Sequence, residues 1–466
     1  MPPIHTQDTI CALATATGTA AIAVLRLSGP EAFDIAGKMF QPKSAKLNLA
    51  TAAAHKMLLG QVLDGDQPVD EVLLTKFVSP NSYTGEDMVE ISCHGSPYIQ
   101  QVILRIMLDN GARMARPGEF TMRAFMNGRM DLSQAEAVAD LIASNSESSR
   151  KIAFQQMRGH FSKRINELRQ KLLEFAALIE LELDFSEEDV EFADRSQLVK
   201  LLDEIDDEIT GLKSSFALGN VLKQGIPVAI IGKPNVGKST LLNAILNEER
   251  AIVSDIPGTT RDTIEDTITI NGVAFRFIDT AGLREGRDDI EIVGIERTYD
   301  KIRQAGIILY MFDASETGLE EIAETIREFH ERVGEEDKRL ILIANKIDLM
   351  EEIPHDFRDL VELETIFVSA KRKENIQMIT DSLLRSLDTA GEESQGVVVA
   401  NSRHYEALAK TLEAILAIRE GIADDISGDL LAIDLRGALH HLGSITGEVT
   451  SDEILGEIFG RFCIGK

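Results

Sequence analysis

With 466 residues, the chain is long enough for about three domains, and 44% hydrophobic residues are sufficient for sizeable cores. Its formal net charge of −29 at pH 7 argues against a protein that binds RNA or DNA by itself. Nonspecific nucleic-acid affinity comes from lysine and arginine at phosphates, so any such role is expected to need a partner with a positive surface. Acidity that serves solubility or a high-salt environment is the alternative interpretation.

Cysteine usage and the absence of targeting signals predict a cytoplasmic protein without membrane association. Cys11, Cys93 and Cys463 are too few and too scattered for a disulfide framework or a metal cluster, which fits a reducing compartment. The uncharged stretch from Ile10 to Leu25 is too short to span a bilayer and has no basic region before it.

Residues 1–127 mix strand-like and helical patterns, which predicts an α+β domain. Strands are expected at Ala21–Leu25 and Met88–Ser92, and a helix at Ser96–Leu108. The four arginines between residues 113 and 129 form a basic cluster, suited either to an anionic ligand or to a solvated interdomain surface.

Cys93 and His94 are a tempting thiol–imidazole pair in this first domain. Neighbouring residues on a strand point to opposite faces, so the two are interpreted as structural or pocket-lining residues.

Residues 128–224 and 389–466 are predicted to be helical. Capping-box patterns at Ser133–Glu136 and Thr450–Glu453 suggest two helix starts. One apolar helix face, expected to be a bundle core, is formed by Leu168, Leu172, Phe175, Leu178, Ile179 and Leu183.

Residues 225–388 alternate strands and helices, which predicts a doubly wound, mostly parallel sheet. The economical architecture is a nucleotide-binding domain inserted into one discontinuous helical domain.

A phosphate-binding loop is predicted at Gly232–Ser239, which reads G-K-P-N-V-G-K-S after the apolar strand Pro227–Ile231. Its glycines let backbone N–H groups approach phosphate oxygens, and a helix is expected from Thr240 onward. Lys238 would meet the β- and γ-phosphates, and the Ser239 hydroxyl would bind Mg²⁺.

Three further motifs follow in order, each after a predicted strand. Asp279-Thr280-Ala281-Gly282 follows Ala274–Ile278, which is paired through the hairpin signal Asn271-Gly272. Asn345-Lys346-Ile347-Asp348 follows Leu340–Ala344, and the Asp348 carboxylate would accept two hydrogen bonds from guanine that adenine cannot donate. Ser369-Ala370-Lys371 follows Thr365–Val368 and would back the guanine ring. Together the motifs predict a GTP-binding domain.

A switch segment is expected at Gly258–Asp262, where Thr260 would provide a second Mg²⁺ hydroxyl. Leu283 follows the Asp-x-x-Gly motif where Ras-like enzymes have a water-orienting glutamine, so hydrolysis needs other groups. Candidate carboxylates are Asp288, Asp289 and Glu291, and a monovalent cation held by Asn235 would supply positive charge.

The motifs together resemble the MnmE (TrmE) family of tRNA uridine-modification GTPases, from Val24–Gly29 to Lys466. The resemblance is carried by the phosphate loop, by Gly258-Thr-Thr-Arg-Asp, by Asp279-Thr-Ala-Gly-Leu-Arg, by Arg116-Pro-Gly-Glu-Phe and by Phe462-Cys-Ile-Gly-Lys. It implies a homodimer through an N-terminal folate-binding-like domain, and a K⁺-dependent Ras-like G domain inserted in a helical domain. It also implies a heterotetramer with the flavoprotein MnmG (GidA), with tRNA bound mainly through that partner.

The resemblance also implies site residues. K⁺ would be coordinated by Asn235, Ser254, Ile256 and Thr259, and Mg²⁺ by Ser239 and Thr260. Glu291 would orient the attacking water, with Lys238 on the phosphates. The full nucleotide and cation set is Asn235, Val236, Gly237, Lys238, Ser239, Thr240, Ser254, Asp255, Ile256, Pro257, Gly258, Thr259, Thr260, Asp279, Thr280, Ala281, Gly282, Asn345, Lys346, Asp348, Ser369, Ala370 and Lys371.

A folate pocket is implied as well, with 5-formyl- or methylene-tetrahydrofolate as the one-carbon source. Its residues would be Arg26, Glu90, Arg129 and Lys466, with Cys463 nearby as a candidate catalytic group. Arg129 stands where some relatives have lysine, which keeps the charge but alters its geometry.

Two alternatives are a ribosome-assembly-type GTPase switch and a membrane-remodelling GTPase. The first should carry a basic RNA-binding appendage, and the second a basic amphipathic helix or a lipidation site. The sequence shows none of these.

Overall fold

The structure is a computed structural model that describes residues 8–44, 48–184, 195–246, 251–253, 266–278, 305–333, 338–350, 364–391, 398–424, 426–460, 462 and 464–465. The elements up to residue 224 are β1 (Ile10–Leu13), β2 (Ile22–Ser28), α1 (Ala32–Met39), β3 (Phe40–Pro42), β4 (Met57–Asp64), β5 (Gln67–Phe77), β6 (Met88–His94), α2 (Pro97–Asp109), β7 (Arg113–Met114), α3 (Glu119–Met126), α4 (Leu132–Ala143), α5 (Glu147–Met157), α6 (His160–Asp184) and α7 (Arg195–Gln224). The later elements are β8 (Ile226–Ile231), α8 (Lys238–Leu246), β9 (Ala251–Val253), β10 (Asp266–Ile270), β11 (Val273–Phe277), β12 (Ile307–Asp313), α9 (Leu319–Val333), β13 (Arg339–Asn345), β14 (Thr365–Phe367), α10 (Ile376–Gly391), α11 (Ser402–Ala423), α12 (Gly428–Thr446) and α13 (Asp452–Gly460).

Two compact units divide the chain. The first is formed by Met1–Ala139, Gln156–Ala193 and Asp424–Lys466, and the second by Asp140–Gln155 and Asp194–Ala423. Among the described helices, none is sufficiently long and apolar to cross a bilayer.

The first unit contains a sheet with strand order β3-β4-β5-β6-β2-β1-β7. Side chains alternate along β2, so that Ala23, Leu25 and Leu27 are buried in a core shared with α1 and α2. The opposite face carries Arg26 on β2, directly across from Glu90 on β6. The strands and the helix predicted in this region are confirmed, with boundaries that differ by a few residues.

Helices α6 and α12 pack against each other in the first unit and run antiparallel. The direction follows from two ion pairs, because Arg169 meets Glu448 whereas Glu180, eleven residues later, meets Arg436. Leu168, Leu172 and Ile179 are buried as predicted, but Leu178 is 37% exposed and is not part of this core.

Both predicted capping boxes are misplaced by one or two residues. At α4, the Asp131 N–H donates to Gln134 Oε1 and the Gln134 N–H donates to Asp131 Oδ1. Ser133 instead lies inside the helix and receives a hydrogen bond from Gln156. At α13, Ser451 rather than Thr450 caps the helix, because its Oγ accepts the Ile454 N–H.

The second unit contains the predicted doubly wound sheet, with strand order β14-β13-β12-β8-β11-β10-β9. The five strands from β14 to β11 are parallel to their neighbours, and β10 and β9 are antiparallel. Its core combines the buried apolar strands with α8 and α10. Asn271 and Gly272 join β10 to β11 with φ of 48° and 81°, which confirms the predicted hairpin.

Candidate nucleotide-binding site

The phosphate loop joins β8 to the N-terminus of α8, at the carboxyl edge of the parallel sheet. Gly232 has φ of 151°, and a Cβ atom there would lie 2.1 Å from the Met311 carbonyl oxygen, so glycine is required. Lys238 Nζ donates to the carbonyl oxygens of Gly232 and Lys233 at 3.0 and 2.9 Å. These contacts hold the lysine over the loop, where the sequence places it for phosphate binding.

Asn345, the last residue of β13, connects the phosphate loop to the Ser369-Ala370-Lys371 motif. Its Nδ2 donates to the Val236 carbonyl at 2.7 Å, and its Oδ1 accepts the Ala370 N–H at 3.0 Å. A Cβ atom on Gly237 would lie 2.5 Å from the same Nδ2. The asparagine thus brings three separate sequence motifs into one site.

Asp348 lies beside Ser369 at this edge of the sheet. Its Oδ1 accepts a hydrogen bond from Ser369 Oγ at 2.7 Å, and Arg372 Nε lies 3.9 Å from Oδ2. The hydrogen bond from Ser369 lowers the pKa of Asp348, so the carboxylate is charged at neutral pH. A charged carboxylate in this place can accept two N–H groups from one base edge.

A junction formed by the β10–β11 hairpin and the start of α5 lies in the same unit. The Gly272 carbonyl accepts the Ser148 N–H at 3.1 Å and Ser148 Oγ at 3.3 Å. Thr269 Oγ1 donates to the Asn145 carbonyl at 3.3 Å, and Lys223 of α7 pairs with Asp140 at 2.7 Å. The hairpin is therefore hydrogen-bonded to the start of α5, and the ion pair joins α7 to α4 beside it in sequence.

In the first unit, Arg26 and Glu90 form an ion pair with 2.7 Å between Nε and Oε1. Arg26 Nη1 also donates to the Gly465 carbonyl at 3.3 Å, and its guanidinium lies 5.4 Å from the centre of the Tyr83 ring. Two of the predicted folate residues are thus adjacent. Arg129 is exposed, and its stem lies near Gly85.

The basic cluster at residues 113–129 is neither a free anion site nor a solvated surface as a whole. Arg123 is buried and pairs with Asp8, Glu86 and Glu119, and Arg113 pairs with Asp8 and Glu119. Burial alone would raise the pKa of Glu119, but the hydrogen bonds from Arg113 and Arg123 lower it. The sequence interpretation was wrong for Arg113 and Arg123, because two of the acids that neutralise them, Asp8 and Glu86, lie far away in sequence.

The Cys93–His94 prediction is confirmed. Cys93 is buried and burial raises the pKa of its thiol to about 11, whereas His94 is exposed and its Nδ1 lies 2.7 Å from Asp70 Oδ1. The two side chains occupy opposite faces and cannot act as a pair.

Comparisons with known proteins agree with this geometry. The family model for the MnmE helical domain matches residues 132–463, and the model for the GTP-binding protein TrmE N-terminus matches residues 9–129. The tRNA modification GTPase MnmE of Christiangramia forsetii is 52% identical over 472 residues, covering 99% of this chain and 99% of that protein. MnmE of Bacteroides fragilis is also 52% identical, covering 99% of this chain and 100% of the relative.

The chain belongs to the MnmE family of tRNA modification GTPases. It is a GTP hydrolase. Among solved structures, the G domain of the T. maritima FeoB iron transporter is 24% identical and covers 34% of this chain and 97% of that chain, with a TM-score of 0.25. A score that low adds nothing to the assignment.

Several residues that the MnmE resemblance implies lie outside the described residues. These are Ser254, Asp255, Ile256, Pro257, Gly258, Thr259, Thr260, Asp279, Thr280, Ala281, Gly282, Glu291, Cys463 and Lys466. Their roles stay predictions.

One residue that contacts the predicted guanine-recognition motif was missed by sequence reasoning. Asp313 ends β12 and lies 2.6 Å from Lys346 Nζ. The available signal was an acid directly after the buried apolar run Ile307–Phe312, at the same sheet edge as the other motifs.

Proposed function

We propose that this MnmE family member is a K⁺-dependent GTPase that acts with a flavoprotein partner of the MnmG type. The two would add an aminomethyl or carboxymethylaminomethyl group to C5 of the wobble uridine in certain tRNAs. The observation that carries the GTPase part is the double hydrogen bond of Asn345 to Val236 and Ala370, which assembles the phosphate and base loops.

The proposed domains are residues 1–127 for dimerisation and folate binding, 225–388 for GTP hydrolysis, and 128–224 with 389–466 for the helical domain. A homodimer is proposed through the first domain.

The described part of the cation site fits Mg²⁺ and K⁺. Ser239 lies in the first turn of α8, where its hydroxyl can bind Mg²⁺, and Asn235 is exposed with φ of 61°. A bound K⁺ would supply positive charge beside the phosphates. Ser254, Ile256 and Thr259 would complete its ligand set, Thr260 that of Mg²⁺, and Glu291 would orient the water.

The test of the cation proposal is GTP hydrolysis in KCl and in NaCl at equal ionic strength. We expect faster hydrolysis in KCl, and near-abolition in Asn235→Lys and Glu291→Ala. Glu320→Ala, an exposed acid on α9, is the matched control and should retain the wild-type rate. Equal rates in the two salts would contradict K⁺ dependence.

A reduced folate, bound as 5-formyl- or methylene-tetrahydrofolate, would supply the one-carbon unit. The chemistry of the residues fits, because Arg26 can hold a carboxylate or a ring oxygen and Glu90 can accept ring N–H groups. Arg129 and Lys466 would add positive charge, and Cys463 is the candidate reactive group.

Calorimetry with formyl-tetrahydrofolate tests this pocket. Arg26→Ala should abolish binding, whereas Arg105→Ala, which removes an exposed ion pair with Asp64 in the same domain, should not change it. Unchanged affinity in Arg26→Ala would count against the folate proposal.

GTP hydrolysis is proposed to be coupled to the helical domain through the junction of the hairpin with α5. β11 leads directly into Asp279, so a change at that motif would pull on a hairpin that is hydrogen-bonded to Ser148 and Asn145. We expect G-domain dimerisation to complete the cation site during this cycle.

The tRNA is proposed to bind mainly through the flavoprotein, because a chain with net charge −29 is a poor partner for phosphates. Mass spectrometry of wobble nucleosides from cells that lack this chain tests the function. We expect the wobble uridine in these cells to be unmodified at C5, and the modification to return when the chain is restored. Wild-type modification levels in those cells would reject the proposal.

A further inference from the structure

The ion pair between Asp313 and Lys346 connects the ends of two neighbouring parallel strands. Asp313 is the last residue of β12 and pairs in register with Asn345, the last residue of β13. Lys346 follows immediately, and its Nζ lies 2.6 Å from Asp313 Oδ2. The backbone adds a second link, since the Ala314 N–H donates to the Asn345 carbonyl at 2.9 Å.

Lys346 has an unfavourable backbone conformation. Its φ is 67°, in the left-handed region, where a residue with a Cβ loses roughly 1 kcal/mol relative to the right-handed region. Such a conformation persists when surrounding contacts hold it. The direction of the chain at Lys346 decides where Asp348, two residues later, presents its carboxylate.

Asp313 is itself rigidly held. Its side chain is 5% exposed, against 31% for Lys346. Its Oδ1 accepts the Ser315 N–H at 3.0 Å and Ser315 Oγ at 2.6 Å. Burial alone would raise the pKa of Asp313, but the hydrogen bonds from Lys346 and Ser315 lower it, so the anchor is charged at neutral pH.

We infer that Asp313 is a positioning residue for guanine recognition, which holds the turn from Asn345 to Asp348 by anchoring the side chain of Lys346. The inference rests on the proposed role of Asp348 as the acceptor for guanine. Asp313 itself does not contact the base, and it acts through the conformation of Lys346.

The experiment compares the affinities of the full chain for fluorescent GDP and IDP. IDP lacks the exocyclic amine of guanine, so the GDP-to-IDP ratio reports where the Asp348 carboxylate lies. We expect Asp313→Ala to weaken GDP binding roughly tenfold and to lower this ratio. Asp313→Asn keeps one acceptor oxygen, which can serve Ser315 or Lys346 but not both, and should give a ratio between those of the wild type and Asp313→Ala.

Arg339→Ala is the matched control, because it removes an ion pair with Glu364 at the opposite end of β13. The Arg339→Ala variant should bind GDP and IDP with wild-type affinity. An equal loss of GDP and IDP binding in Asp313→Ala, or no loss, would overturn the inference, since general destabilisation does not change the ratio.

A Lys346→Gly background adds an independent readout. Glycine adopts φ of 67° without strain, so Asp313→Ala should change the ratio no further in that background. If Asp313→Ala lowered the GDP-to-IDP ratio as much in the Lys346→Gly background as in the wild-type background, the inference would be overturned. Asp348→Ala tests the proposed guanine acceptor separately from Asp313. If Asp348→Ala loses the preference for GDP over IDP and Asp313→Ala keeps it, the inference about Asp313 is rejected and the role of Asp348 stands. If Asp348→Ala keeps the preference, the role of Asp348 is rejected as well.

Discussion

The Gly465 carbonyl oxygen accepts a hydrogen bond from Arg26 Nη1 at 3.3 Å, although 439 positions separate the two residues. Gly465 has φ of 97°, and a Cβ atom there would lie 2.1 Å from the Leu13 carbonyl oxygen. Only glycine therefore lets the chain at residue 465 approach β1 this closely. The contact places the Gly465 carbonyl next to the ion pair of Arg26 with Glu90.

Gly465→Ala should therefore displace this segment and release Arg26. We expect the affinity for formyl-tetrahydrofolate to fall by roughly tenfold, because loss of one charge-assisted hydrogen bond costs about 1.5–3 kcal/mol. Isothermal calorimetry measures it. Gly460→Ala is the control, since a Cβ atom there meets no atom within 4 Å. Wild-type affinity in Gly465→Ala would show that the contact does not shape the pocket.

Gly237→Ala in the phosphate loop should abolish tight nucleotide binding. Gly237 has φ of 103°, and the added Cβ would lie 2.5 Å from Asn345 Nδ2, which holds the Val236 carbonyl. The methyl group would thus break the link between the two loops and strain the backbone. Equilibrium binding of fluorescent GDP measures the loss, with Gly318→Ala as the control because its surroundings are open. Tight binding by Gly237→Ala would contradict this account of the site.

Gly272→Ala should weaken the junction between the hairpin and α5. Its φ of 81° disfavours alanine by about 1 kcal/mol, and the new Cβ would lie 3.1 Å from Glu147 Cβ. We expect faster hydrogen exchange at residues 145–149 and less tRNA modification, with GTP affinity retained. Gly211→Ala on α7 has open space around its Cβ and serves as the control. Full tRNA modification by Gly272→Ala would argue against coupling through this junction.

The sequence allowed the G domain to be predicted closely, because its motifs depend on local geometry. A Gly-rich loop between an apolar strand and a helix has few alternative structures, and Asn271-Gly272 specifies its hairpin through two positive φ angles. The same locality explains why Asn345 and Ser369 were identified from their positions after strands.

Contacts between residues that lie far apart in sequence could not be predicted from local motifs. Asp8 and Glu86 neutralise Arg123 from 115 and 37 positions away, and no spacing rule connects them. Asp313 was missed for the same reason, since its role depends on the register between β12 and β13. The capping errors at Ser133 and Thr450 have a different cause, because several neighbouring polar residues fit the pattern and tertiary packing decides among them.

Cys11 and Cys93 should resist alkylation in the folded protein. Burial is the main cause that raises the pKa of both thiols to about 11. The thiolate is the nucleophile, so at pH 8 roughly one thiol in a thousand would be reactive even if reagent could reach it. We expect negligible labelling of either residue by iodoacetamide at pH 8 under native conditions, and complete labelling in denaturant, where the pKa returns to about 8.5. Peptide mass spectrometry resolves each site, and the denatured sample is the control for reagent and detection.

Raising the native pH from 8 to 9 should increase the labelling rate by at most about tenfold, because the thiolate fraction grows tenfold per pH unit below the pKa. Rapid labelling of Cys93 at pH 8 under native conditions would contradict the expectation that its thiol is buried in the sheet and protonated.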